Sequence, residues 1–97
     1  MKTIEIKNYE QKVSLPDELT TEQLINVYRK MKELGTNDDN IMLVEYHLKV
    51  IQAFMDTGFI EKFDVSKVGG RYSQLLAKEL LKYLNWHNEF DKEDEKK

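Results

Sequence analysis

His47 and His87 are the side chains of this chain best suited to acid–base or metal chemistry, and each stands alone at helical spacing. Two ligands on one helical face, or an acid beside a base, require a second group three or four residues away. Glu45 and Glu89 lie two residues from the histidines and so point elsewhere. Both histidines read as packed imidazoles with no metal or general-base role. The run Asn37-Asp38-Asp39-Asn40 has the acidity of a calcium loop without its glycine or closing glutamate; it reads as a helix N-terminus. Gly69-Gly70 before Arg71 would suit an anion at a helix start. The dinucleotide and P-loop patterns need more glycines at fixed offsets, so the pair reads as a hinge. Ser14, Ser66 and Ser73 stand in no recognisable arrangement with a histidine and an acid. Arg71, Lys78 and Lys82 share a helical face and would meet phosphates along it, but a solvated face explains them more simply. The sequence therefore predicts no catalytic, cofactor or metal site, and a protein that is not an enzyme.

Composition points the same way. A chain of 97 residues with 40% hydrophobic and 34% charged residues fits one folded domain, expected over residues 1–90, with a charged tail at 91–97. The absence of cysteine removes disulfides, thiolate zinc sites and cysteine nucleophiles together, and suits a reducing compartment. No apolar h-region follows Met1-Lys2, and Glu45, His47, Lys49 and Gln52 interrupt the most apolar run, so neither a signal peptide nor a membrane span is expected. A cytoplasmic location is the resulting expectation. The net charge of −3 disfavours nucleic acid as the partner. Its distribution is uneven: Lys67, Arg71, Lys78 and Lys82 are opposed only by Glu79 before the acid-rich residues 89–97.

The elements expected to hold these residues make an α+β, mostly α fold. Ile4 and Ile6, then Gln11, Val13 and Leu15, alternate with polar residues as strands do, which predicts a hairpin over residues 2–15 with Asn8 in its turn. Pro16 ends the second strand. Thr20 with Gln23 is a capping box and Leu19 with Leu24 a hydrophobic staple, placing a helix over 21–34 with Gly35 at its stop. Asn37 or Asp38 is the expected cap of a second helix over 38–56, with Gly58 as its stop. Asp64 or Ser66 would cap a further turn, and the last helix is expected over 71–90.

Residues 41–55, IMLVEYHLKVIQAFM, dominate the reading because they are apolar on nearly every side of that second helix. Ile41, Val44, Leu48, Ile51 and Met55 make one stripe; Leu43, Val50 and Phe54, with His47 among them, make another. A helix apolar all round must be covered by other protein or by lipid. With so few other elements, a partner is expected on one stripe. Ile41, Leu48, Ile51, Met55 and Trp86 are the candidate contact residues, Trp86 because aromatics are enriched at interface hot spots.

The layout resembles that of the tail assembly chaperones of long-tailed bacteriophages. The likeness runs through the hairpin TIEIKNYEQKVSLP, the helix opening PDELTTEQLINVYRKM, the apolar IMLVEYHLKVIQAF and the step FDVSKVGGRYSQLLAKELLKYL. It is a likeness of layout over about 90 residues, without a ligand motif. The resemblance implies a non-enzymatic protein that binds the tape-measure protein, keeps it soluble, and self-associates in the host cytoplasm. Met31, Met42 and Met55 suit adaptable apolar contacts of that kind. Two other readings fit the residues: a small acidic regulator or inhibitor of a host protein, and a DNA-binding module using Arg71, Lys78 and Lys82.

Overall fold

The computed structural model describes residues 2–5 and 12–88. The fold is α+β and mostly α: strands β1 (Lys2–Glu5) and β2 (Lys12–Leu15), helices α1 (Thr21–Glu33) and α2 (Leu43–Asp56), one 3-10 turn (Val65–Lys67), and helix α3 (Gly70–Trp86). The expected roles of Ile6, Asn8 and Gln11, the last two residues of the helix expected over 71–90, and the charged tail lie outside the described residues.

β1 and β2 pair antiparallel with Ile4 opposite Val13. Ile4, Val13 and Leu15 are buried while Thr3 and Ser14 are exposed, so the alternation sends one face into the helical core. A two-stranded ribbon has little stability of its own and needs that cover. Pro16 closes β2, and its carbonyl accepts a hydrogen bond from the Tyr83 hydroxyl at 2.6 Å, tying the hairpin exit to α3.

Helix α1 begins on the expected capping box. Gln23 donates its backbone N–H to Thr20 Oγ1, and Thr20 donates its own to Gln23 Oε1. It ends in a Schellman motif, where Thr36 N–H reaches the Met31 carbonyl, Gly35 N–H reaches that of Lys32, and Gly35 takes φ +90°. α2 ends the same way, with Phe59 N–H on Phe54, Gly58 N–H on Met55, and Gly58 at φ +86°. Lys30 meets Asp56 at 3.8 Å and Lys49 Nζ lies against Gly35, so α1 and α2 run antiparallel.

Two helix bounds differ from expectation. α2 starts at Leu43, not at residue 38, and neither Asn37 nor Asp38 caps it. Asp38 is used in the preceding turn: its carboxylate accepts from Asn40 N–H at 2.9 Å and its carbonyl accepts from Ile41 N–H. Short polar side chains that bond their own backbone compete with a helix in this way. α3 ends at Trp86 with His87 as its C-cap, short of residue 90. Asp64, as anticipated, caps the 3-10 turn by accepting from Ser66 N–H.

α3 packs chiefly on α2. Between them lie Val50, Ile51, Phe54, Leu76, Leu80, Tyr83 and Leu84, all 0–1% exposed. The Phe54 and Tyr83 rings meet with centroids 6.5 Å apart. This core closes over both stripes of α2 beyond its first turn.

Candidate binding surface

The five residues singled out for contact do not share one open face. Ile51 and Met55 are 0% and 3% exposed and belong to the core. Leu48 is half-buried against that core and Ile41 is half-buried in the turn before α2. Only Trp86 stands in solvent, at 50%. Ile51 and Met55, expected as contact residues, are therefore corrected to core residues. α3, α1 and the 3-10 turn pack on α2 and cover what α2 alone made look uncoverable.

The open apolar surface lies at the end of α2, not along its side. Met42, Leu43 and Val44 are 69%, 64% and 55% exposed. They fall here because the turn through Asp38 delays the helix, so its start projects beyond the C-terminus of α1. The N-cap is Met42, whose side chain has no oxygen to offer, and among the described residues no side chain caps the helix start. The first turn thus presents three apolar side chains beside backbone N–H groups that the helix leaves unpaired. Periodicity gave no sign of this, because Leu43 and Val44 belong to different stripes.

Trp86 occupies another part of the molecule. Its ring meets His87 edge-on at 4.9 Å. His87 Nε2 accepts the Leu19 backbone N–H at 2.9 Å, just before α1 begins. Because that bond requires an acceptor at Nε2, the ring proton sits on Nδ1, 2.8 Å from the Tyr83 carbonyl. His87 is therefore a structural clasp between α3 and the entry to α1, with both nitrogens used. Ile25 and Tyr28 of α1 are exposed, and Tyr28 Oη accepts from Asn88 Nδ2 at 3.1 Å. Trp86 and the α2 opening thus lie towards opposite ends of the α1–α2 pair.

His47 is buried and its Nδ1 has no hydrogen-bond partner among the described residues. Burial first, and the Lys78 ammonium second, push its pKa below the ordinary histidine value. Burial raises the Tyr72 hydroxyl; Tyr83 is raised by burial and then by Asp17 and Glu18. Arg71, Lys78 and Lys82 are exposed on α3, and Lys82 pairs with Glu79 at 3.2 Å, as a solvated face does. Gly69 caps α3 without a side-chain bond. Among the described residues no group of three His, Cys, Asp or Glu side chains is placed to hold a metal ion, and no helix is long and apolar enough to cross a membrane.

One groove of about 450 Å³ opens between β2 and the connector after α2, lined by Val13, Ser14, Tyr72 and residues 59–63. Glu61 and Lys62 at its edge are exposed. Among the described residues that line it there is no histidine or cysteine. No protein-family model, curated protein or solved structure matches the chain.

Proposed function

We propose that this chain is a non-enzymatic binding protein of the tail-assembly-chaperone kind, holding an apolar segment of a tape-measure protein and associating with its own copies. The observation that carries the reading is the open start of α2, where Met42, Leu43 and Val44 are all more than half exposed. Consecutive large apolar residues at an uncapped helix start are costly in water, and covering them stabilises a complex by about 25 cal/mol per Å² removed from solvent. The layout resemblance suggests the partner: a long tape-measure protein that must be kept soluble while the tail assembles. Polar Asp38, Asp39 and Glu45 around the opening keep the free protein soluble.

Co-expression tests this. Fragments of a tape-measure protein are expected to be soluble with the parent chain and to precipitate with Met42→Ser/Val44→Ser, once circular dichroism shows that the variant is folded. Replacing Arg71, Lys78 and Lys82 together by glutamine is expected to leave solubility unchanged. If the basic triple change abolishes the effect while the apolar variant keeps it, the partner is held by charge and this reading fails.

A further inference from the structure

His47 is the buried polar group that the α2 opening leaves unused. It is 3% exposed. Helical spacing puts it on the α2 face that carries Val50, Ile51 and Phe54, and Phe54 packs on Tyr83 of α3. The imidazole therefore lies in the α2–α3 packing, with Nδ1 unpartnered among the described residues. The charges that face it offer no compensation for a second ring proton. From α3 comes the like charge of Lys78. On α2 itself Glu45 and Lys49 pair with each other at 3.9 Å, and the Tyr46 ring at 6.1 Å is neutral. α1 and the 3-10 turn also pack on α2, and no carboxylate of either acts on the ring.

We propose that His47 makes the α2–α3 contact acid-sensitive: a second proton on its ring drives α3 off α2 and uncovers the apolar face of Val50, Ile51 and Phe54. The inference is independent of what binds the α2 opening. Its sign follows from linkage. Burial and Lys78 hold the folded-state value below that of the unfolded chain, so the unfolded chain takes the proton first. The contact is at full strength above the ordinary histidine value of about 6.5. Below that, the folding equilibrium falls by up to about tenfold per pH unit until the folded-state value is reached.

The test uses the full chain between about pH 8 and pH 5, the range in which histidine titrates. NMR follows the two histidine Hε1 resonances, while urea midpoints are taken for the parent, His47→Phe and His47→Gln. The expected result is a His47 resonance that titrates below the ordinary range, or only as the fold is lost. The parent midpoint is expected to drop with acid, with added binding of an apolar dye, and the drop to shrink in either folded variant. His87 is common to all three proteins, so the difference between them isolates His47. Lys78→Gln is expected to move the His47 titration upward. A His47 that titrates at or above about pH 6.5 with the fold intact overturns the proposal. So does an acid-induced drop of the same size in a folded His47 variant.

Discussion

Tyr83 joins three parts of the chain through one side chain. Its ring packs on Phe54, its hydroxyl donates to the Pro16 carbonyl at 2.6 Å, and its own carbonyl meets the His87 ring. Tyr83→Phe keeps the packing and leaves the half-buried Pro16 carbonyl short of that donor. The expected loss is about 1–2 kcal/mol, read from urea unfolding. The same hydroxyl and that of Tyr72 carry an alkaline consequence. Both are held above the ordinary tyrosine value in the folded chain, so the unfolded chain releases these protons first. Stability is expected to be complete below about pH 10 and to fall as pH rises through it. Tyr83→Phe should flatten part of that fall, and an equal alkaline loss in the variant would show that Tyr83 is not its source. Ile51 is fully buried, so Ile51→Ala is expected to cost about 2–4 kcal/mol of stability. A surface role alone would predict a change near zero.

At the scale of elements, sequence signals were clearest where a local rule acts alone. Thr20 with Gln23 and the glycines at 35 and 58 marked helix ends that the hydrogen bonds bear out. Alternation through Val13 and Leu15 marked the buried face of β2. The start of α2 was illegible because Asp38 serves equally well as a helix cap or as a turn former, and tertiary placement chose the turn. The end of α3 was overrun because apolar spacing continues past Trp86, while His87 is recruited by Leu19 from 68 residues away. Of the candidate contact residues, Trp86 is half exposed, whereas Ile51 and Met55 lie in the core. One helix read alone cannot reveal how much of it two neighbouring helices and a 3-10 turn will cover. Thr20→Ala is expected to lower stability by about 1 kcal/mol through loss of the cap, checked by thermal unfolding. Gly58→Ala, at φ +86° with open space around it, should cost about 1–2 kcal/mol from backbone strain alone.

For the whole molecule, α3, α1 and the 3-10 turn cover nearly all of α2 and leave its first turn bare. The molecule therefore offers an apolar end, not the apolar flank that the stripe of Ile51 and Met55 suggested. That geometry ties both proposed activities, capture of an apolar segment and association with further copies, to Met42, Leu43 and Val44. Light scattering over a concentration series, on the parent and on Met42→Ser/Leu43→Ser/Val44→Ser, reads this dependence directly. The account predicts that the parent's mass rises above that of a monomer with concentration and that the folded triple variant stays monomeric. A parent that remains monomeric throughout, or a triple variant that associates as the parent does, would contradict it.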